Sequence, residues 1–417
     1  MPSVSLGFKV HIPYRLKKFT AGSVGTYDTW FDEQACKAAV DQLADECYLP
    51  TNEMILSLIK KHKEKFKVAF SISGTALELL QKHRPDVILS FQQIAKTGCL
   101  EFFSETYYHS LSWLYSPNEF KRQIKQHDDL IRVLFGEEPV VFRNTDLIYC
   151  NKLAKFIAGL GYKGILCEGL ERILNGRTPN KTYAAPDNDD FGILLRNVRL
   201  SDDIAFRFDN PTWNEHPLTA EKYAGWLHSL GKESCNVNLF LDYETFGIHK
   251  KTGSGIFEFL KHLPAMILAN DNWRFTTPSE VLDNCYPHDI YDVPKTISWE
   301  DKEVQSCVSS ENMMQNNTLR KIYSLEKMVS KTNMPGAMEW WGALQSADHF
   351  YYMCNDGRNF DDAYRSLSPF ASDAEAFENY KNALDDFEIK LIQRGLEDIK
   401  NKKSLHPSGS ILSRMLY

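Results

Sequence analysis

The chain has 417 residues and a net charge of -7, and 43% of its residues are hydrophobic and 25% charged, which is typical of a globular protein with a full-sized core. No basic excess is present that would bind a phosphate backbone, so we expect no nucleic-acid partner. Because no apolar run approaches about 18 residues and the N-terminus lacks a charged segment followed by an apolar one, we expect no membrane span, no signal peptide and a cytoplasmic location.

From residue 4 to about residue 285 the sequence alternates candidate strands with candidate helices. We predict strands at Val4–Val10, Lys67–Ser73, Cys99–Glu105, Pro139–Thr145, Tyr162–Glu168, Ile193–Leu200 and Val237–Asp242, and Trp273–Thr277 is a possible eighth. Helical patterns lie between them, at Asp32–Glu46, Asn52–Lys63, Thr75–Lys82, Pro117–Phe135, Asn151–Leu160, Ala220–Leu230 and Gly255–Leu268. Such alternation indicates a parallel sheet with crossover helices, and this number of units favours a closed barrel. No Gly-x-Gly-x-x-Gly follows the first strand, which disfavours a dinucleotide-binding domain.

After the barrel the strand signals stop. Residues Tyr286–Ser298 contain two prolines and alternating acids, as a linker does, and Leu319–Val329 and Ala374–Leu396 have helical patterns. The sequence therefore predicts a barrel at residues 1–285, a linker at 286–304 and a helical domain at 305–417.

The cysteines and histidines show no metal-binding pattern. The nine cysteines are scattered without a Cys-x-x-Cys pair, which argues against a disulfide framework and against a cysteine-based zinc site. The twelve histidines contain no His-x-x-x-His pair at a predicted strand end. We therefore expect no metal and no cofactor.

Two acids follow apolar strands at their predicted C-terminal ends, where the active sites of such barrels lie. Glu168 comes directly after Ile165-Leu166-Cys167, and Asp242 ends the run Leu239-Phe240-Leu241. A carboxylate is costly beside an apolar strand unless it is paired or used, and glycoside hydrolysis is the chemistry that most often needs two of them. Without further information, a structural ion pair with Arg143 or Arg207 is an equally good interpretation.

Six segments carry a family resemblance: FKVHIPYRL (Phe8–Leu16), LEFFSETYYHSL (Leu100–Leu111), VFRNT (Val141–Thr145), GILCEGLERIL (Gly164–Leu174), LFLDYETFG (Leu239–Gly247) and TPSEVL (Thr277–Leu282). In this order they resemble the signature regions of glycoside hydrolase family 57, and ADHFYYM (Ala347–Met353) is similar to a helical segment of its α-amylase-like members.

The resemblance implies an incomplete (β/α)7 TIM-like barrel followed by a C-terminal helical domain that flanks the active-site cleft. It implies retaining hydrolysis or transfer of α-1,4-glucans, of the α-amylase or 4-α-glucanotransferase type, with Glu168 as the nucleophile and Asp242 as the general acid/base. One departure is visible: the first signature usually reads His-x-His-Gln-Pro, but this chain has Lys9-Val10-His11-Ile12-Pro13.

The expected partner is an oligo- or polysaccharide, and the oligomeric state is not indicated. Candidate substrate-binding residues are polar side chains near strand ends and tryptophans that could stack on sugar rings, namely His11, Glu101, His109, Arg143, Glu244, Trp273, Trp340 and Trp341. Each of them also has a structural interpretation, because His11 could bond a backbone carbonyl, Arg143 could fill a barrel layer and any of the tryptophans could be core.

Two alternatives to a glycoside hydrolase stay open. A metal-dependent polysaccharide deacetylase uses a related barrel, but needs an Asp and two His at ligand spacing. A non-catalytic glucan-binding protein would suit the abundant aromatic residues, although it would leave Glu168 and Asp242 without a role. Hydrolysis and transglycosylation are not distinguished by the sequence.

Overall fold

A computed structural model describes residues 1–19, 22, 30–231, 234–299, 312–353 and 368–405 of the chain. Residues 401–405 are described by their backbone alone. The described residues fall into two compact units. The first unit consists of Met1–Tyr14 and Glu33–Ser306, and the second of Arg15–Asp32 and Cys307–Tyr417. The boundary predicted at residues 304 and 305 lies outside the described residues.

The strands of the first unit are β1 (Ser3–Val10), β2 (Val68–Ile72), β3 (Leu100–Phe102), β4 (Val141–Arg143), β5 (Gly164–Glu168), β6 (Tyr183–Ala185), β7 (Asn188–Arg196), β8 (Asn236–Asp242) and β9 (Arg274–Phe275). In the part of the chain that the structure describes, seven of them run parallel in the order β3-β2-β1-β8-β7-β5-β4. Ser104, two residues after β3, forms an isolated bridge to β4 through backbone hydrogen bonds from Ser104 N to Val141 O (3.0 Å) and from Arg143 N to Ser104 O (2.8 Å), so the ring is nearly closed. The predicted incomplete (β/α)7 barrel is confirmed.

Helices connect the strands on the outside of the ring, and one more helix follows the last strand. They are α1 (Glu33–Leu43), α2 (Leu49–His62), α3 (Gly74–His83), α4 (Pro85–Ala95), α5 (Pro117–Phe135), α6 (Asn151–Gly159), α7 (Glu171–Leu174), α8 (Val198–Ala205), α9 (Ala220–Ser229), α10 (Ile256–Leu268) and α11 (Pro278–Asn284). The main core lies between these helices and the strands, because side chains alternate along each strand between the ring interior and the helical layer.

The interior of the barrel is packed with apolar side chains. Phe103, Leu166, Leu194 and Phe240 form a cluster there with residues of α11, including Val281. Gly164 and Gly192 face each other across β5 and β7, and a Cβ on Gly164 would lie 2.3 Å from the carbonyl oxygen of Gly192. Helix α11 packs Leu282 against both glycines and so closes the N-terminal end of the ring.

Several details differ from the sequence-based expectation. The strand predicted at Ile193–Leu200 ends at Arg196, because Asn197 caps α8 by accepting a hydrogen bond from Leu200 N at 3.0 Å. Cys235 and Cys285 form a disulfide bond, which the scattered cysteine pattern did not predict.

Part of the predicted linker is ordered against the barrel. Tyr291, Val293 and Ile297 are buried in the same cluster as β5 and β7, and the backbone of Ile297 exchanges two 2.9 Å hydrogen bonds with that of Tyr149.

The second unit is helical, with α12 (Met313–Ser324), α13 (Glu326–Lys331), α14 (Ala337–Leu344), α15 (Ala347–Tyr351) and α16 (Asp373–Leu405). Trp341, Tyr380 and Phe387 are fully buried in it. The segment that leaves the barrel after β1 belongs to this unit: Trp30 is fully buried and its Nε1 donates to Asp386 Oδ2 at 2.7 Å. In neither unit do the described residues include a helix that is long and apolar enough to cross a membrane.

Candidate active site

The C-terminal ends of β1, β5, β7 and β8 carry charged side chains that pair across neighbouring strands. Lys9 of β1 lies in register with Asp242 of β8, and Glu168 of β5 with Arg196 of β7. Residues in register on parallel strands point to the same face of the sheet, so each cation lies beside one of the two predicted catalytic acids.

Glu168 ends β5 as a buried carboxylate. Its side chain is 1% exposed, and Arg196 Nη1 donates to its Oε1 at 2.9 Å. The same guanidinium donates from Nη2 to Asp202 Oδ1 at 2.6 Å and from Nε to the backbone oxygen of Phe240 at 2.7 Å. Arg196 therefore compensates the charge of Glu168, which burial alone would make costly, and connects its position to β8.

Asp242 ends β8 at the rim of the barrel, with its side chain 33% exposed. The ammonium of Lys9 lies 2.9 Å from its Oδ1. Burial raises the pKa of Asp242, but the charges of Lys9, His249 and Arg143 outweigh burial, so the pKa lies below its usual range. In the absence of substrate, Asp242 is thus a carboxylate at neutral pH.

A second buried carboxylate, Glu105, follows β3. It accepts hydrogen bonds from Ser71 Oγ at 2.7 Å, from Arg143 Nη1 at 3.2 Å and from His109 Nδ1 at 3.3 Å. Burial opposes its ionisation, yet Arg143 and His109 lower the pKa of Glu105 to about 2. Arg143 thus pairs with Glu105 and is not the partner of Glu168.

Two histidines connect β1 to this network. The rings of His11 and His109 stack with their centroids 4.2 Å apart, and His11 Nδ1 lies 2.7 Å from Ser73 Oγ. His109 Nε2 lies 3.7 Å from Asp146 Oδ1. Burial lowers the pKa of His109, but Asp146 and Glu105 outweigh it and raise the pKa, so the ring is held against two acids.

Glu244 follows Asp242 in the loop after β8 and is buried. Burial and the negative charge of Asp242 raise the pKa of Glu244 to about 7, although Tyr48 donates a hydrogen bond to its Oε1. Tyr48 belongs to a one-turn π-helix, Ala44–Tyr48, between α1 and α2. Gly247 makes this approach possible, because at its φ of +106° a Cβ would lie 1.9 Å from the carbonyl oxygen of Glu46.

Two predicted site residues lie at the other end of the barrel. Glu101 pairs in register with Ala69 near the start of β2, and its carboxylate accepts hydrogen bonds from Ser279 N and Oγ at 3.0 and 2.8 Å. Trp273 precedes β9, which pairs with the first residues of β1. The ring centroids of Trp273 and His228 are 5.9 Å apart. Both positions are at the N-terminal end of the strands.

The other two tryptophans belong to α14 of the second unit. Trp341 is fully buried, and its Nε1 donates to Ile322 O at 2.8 Å. Trp340 packs edge-on against Trp30 with ring centroids 5.1 Å apart.

Sequence reasoning missed the part that Arg196 plays. The sequence pattern places Arg196 inside a predicted strand that continues to Leu200, so it does not indicate that Arg196 ends a strand. The signal that could have found it is Asn197, a helix-capping residue three positions before Leu200. Lys9 was noticed as a departure from the family pattern, but its pairing with Asp242 depends on the register of strands far apart in sequence.

Within the described ranges, no group of three or more His, Cys, Asp or Glu side chains is arranged to hold a metal ion.

A (β/α) barrel with acids and their cations at the C-terminal strand ends has the architecture of a barrel enzyme. The model of glycosyl hydrolase family 57 matches residues 5–294, and the chain belongs to this family. A putative α-amylase from Methanocaldococcus jannaschii is 37% identical in an alignment of 414 positions that covers 96% of this chain and 87% of that protein.

Solved structures share the fold. The 4-α-glucanotransferase from Thermococcus litoralis has a TM-score of 0.65 and 17% identity, over 84% of this chain and 55% of that one, so this chain corresponds to about half of that enzyme. An α-amylase from Thermotoga maritima has a TM-score of 0.58 and 13% identity, over 92% of this chain and 97% of that one.

Proposed function

We propose that this protein is a retaining glycoside hydrolase or transglycosylase that acts on α-1,4-glucans, with Glu168 as the nucleophile and Asp242 as the general acid/base. The observation that carries this proposal is the contrast between the two acids. Glu168 is buried and paired with Arg196, whereas Asp242 is one-third exposed (33%) at the rim. A retaining mechanism needs one permanently ionised carboxylate and one carboxyl group that exchanges protons.

In the first step, a carboxylate oxygen of Glu168 forms a bond to the anomeric carbon while the bond to the glycosidic oxygen breaks. Asp242 donates its proton to that leaving oxygen, and the product is a glycosyl ester of Glu168. In the second step, Asp242 takes a proton from water or from an acceptor sugar hydroxyl, whose oxygen displaces Glu168 and restores the configuration.

The α-glucan substrate is supported by family membership and by the names of the relatives, which include an α-amylase and a 4-α-glucanotransferase. His11, His109 and Arg143 lie at the same end of the barrel and are our candidates for sugar contacts, although His109 and Arg143 are buried in the free protein. We also propose that the helical unit is needed for activity and that the protein works in the cytoplasm.

The decisive experiment is to incubate the purified protein with maltoheptaose and to follow the products by NMR and mass spectrometry. Retained anomeric configuration in newly formed products supports the proposal. Shorter oligomers alone indicate an amylase, shorter and longer ones together a 4-α-glucanotransferase, and new α-1,6 signals a branching enzyme.

Two results would overturn this function. Release of acetate from an acetylated glycan, with maltoheptaose unchanged, would favour a deacetylase. Binding of maltoheptaose without any turnover, measured by calorimetry, would favour a non-catalytic glucan-binding protein.

A further inference from the structure

We propose that Lys9 is a positioning residue that holds Asp242 as a carboxylate in the free enzyme and thereby sets the upper pH limit of glucan cleavage. This inference rests on the proposed role of Asp242 as the general acid/base. It concerns a residue of β1 whose side chain acts through Asp242 on the reaction, with no contact to the sugar required.

The geometry places Lys9 beside Asp242 through the backbone as well as through the side chains. The two residues are in register on adjacent parallel strands, β1 and β8. Lys9 Nζ lies 2.9 Å from Asp242 Oδ1, and the side chain of Lys9 is only 12% exposed. A cation so shielded from water acts strongly on a neighbouring carboxylate, since solvent screens it little.

Other charged groups also face Asp242, and none of them replaces Lys9. Arg143 of β4 contributes a weaker effect of the same sign, because its guanidinium is paired with Glu105. His249, in the loop after β8, also lowers the pKa of Asp242, but its effect is smaller than that of Lys9. Burial and nearby lysines lower the pKa of His249 itself, although Asp242 raises it. Glu244, which Tyr48 holds from the π-helix, is negative only above about pH 7 and acts in the opposite direction.

The consequence for the reaction follows from its first step, which consumes a proton on Asp242. An ammonium within about 4 Å lowers the pKa of a carboxyl group by about 1–3 units. The fraction of free enzyme with a protonated Asp242 therefore falls tenfold for each pH unit above this lowered pKa. Because kcat/KM reports the free enzyme, its basic limb should lie at an acidic pH that Lys9 determines.

The test compares pH profiles of kcat/KM for maltoheptaose cleavage. Lys9→Gln removes the charge, and we expect it to move the basic limb upward by about 1–3 pH units, so that kcat/KM well above the wild-type limb rises at least about tenfold. Lys9→Arg keeps the charge and should keep the limb in place. Lys163→Gln is the matched control, because it removes a surface lysine that pairs with Asp283.

Folding is checked by thermal unfolding, and Lys9→Met serves as a second neutral variant if the glutamine variant is unstable. A basic limb that stays in place in an active neutral variant overturns this inference and leaves the proposed function intact. A limb that moves equally in Lys9→Arg also overturns it, because the charge would not be the cause. If the wild-type protein shows no turnover of any glucan, the proposed function fails, and the role of Lys9 fails with it.

Discussion

Glu168 and Asp242 end two strands of one ring, but their surroundings suit different tasks. Glu168 is buried and pairs with the guanidinium of Arg196, a cation that stays charged at neutral pH, and this pairing favours its proposed role as the nucleophile. Asp242 is one-third exposed (33%) at the rim, so it can exchange protons with solvent between the two proposed steps. At the residue scale, the proposed division of roles between the two acids rests on their burial and on the identity of the paired cation.

The first prediction concerns these two acids. Glu168→Gln and Asp242→Asn should each abolish glucan cleavage while the protein stays folded. Loss of acid–base catalysis lowers kcat by about 10²- to 10⁴-fold, and loss of a nucleophile lowers it further. Asp283→Asn is the control, because it removes a carboxylate that pairs with Lys163 at the surface. Near-wild-type kcat in either active-site variant would contradict the assignment.

The second prediction concerns Glu244, whose pKa is raised to about 7 by burial and by Asp242. A carboxyl group with a raised pKa stabilises the fold fully below its ordinary value of 4.5, and this stability is lost as the pH rises through about 7. Ionisation of Glu244 should therefore lower the free energy of unfolding of the wild-type protein by on the order of 3 kcal/mol between about pH 5 and pH 8. The Glu244→Gln variant should not show this decrease.

Urea unfolding at both pH values measures this difference. The glutamine oxygen can still accept the hydrogen bond from Tyr48, so the variant changes the charge more than the packing. Equal pH dependence in the wild-type protein and the variant would show that Glu244 does not titrate in this range.

At the scale of elements, the two ends of the barrel differ in what their loops do. Helix α11 closes the N-terminal end, where Glu101 accepts hydrogen bonds from Ser279 and Leu282 packs on Gly164 and Gly192. The C-terminal end instead carries the charged pairs of Lys9, Asp242, Glu168 and Arg196. This separation agrees with the general rule that the C-terminal face of such barrels holds the chemistry and the opposite face contributes stability.

The third prediction concerns the disulfide bond at the closed end. Cys235 precedes β8 and Cys285 follows α11, and the two residues are 50 positions apart in sequence. Reduction should lower the free energy of unfolding by about 4 kcal/mol, because a loop of this length gains that much entropy in the unfolded chain. Differential scanning calorimetry with and without dithiothreitol measures the effect. The double variant Cys235→Ser/Cys285→Ser is the control, and its melting temperature should not respond to the reductant; an unchanged melting temperature of the reduced wild-type protein would contradict the prediction.

At the scale of the whole molecule, local patterns predicted the barrel well. Apolar runs that end in an acid identified β5 and β8, and the alternation of strands with helical patterns gave the barrel architecture. These features depend on neighbours in sequence, such as Ile165 before Glu168 or Leu241 before Asp242. The positions of both acids at strand ends could therefore be predicted without knowledge of the register.

Features that depend on distant partners could not be predicted in this way. The pairing of Lys9 with Asp242 follows from the register of β1 and β8, and the three contacts of Arg196 reach β5, α8 and β8. For the same reason the residues between β1 and α1 were not assigned to the helical unit: Trp30 contacts Asp386 more than 350 positions away.

The last prediction follows from this association of Trp30 with α16. Trp30 is fully buried, packs edge-on against Phe387 with ring centroids 5.2 Å apart, and donates to Asp386, while Phe19 N donates to Asn379 Oδ1 at 2.5 Å. A chain truncated after residue 306 keeps Phe19 and Trp30 but loses all these partners. We expect it to aggregate, or to bind a hydrophobic dye, and to lack glucan cleavage.

The full-length variant Trp30→Ala separates the effect of losing the helices from the effect of losing the contacts of Trp30, because it retains the helices and loses only those contacts. It should reduce the free energy of unfolding by about 3–5 kcal/mol in urea titrations, as truncation of a buried tryptophan usually does. If the truncated chain were monomeric, stably folded and as active as the full-length protein, the helical unit would be a detachable module. That result would show that the barrel alone carries the function. It would also show that the segment after β1 tolerates the loss of every contact that buries Trp30.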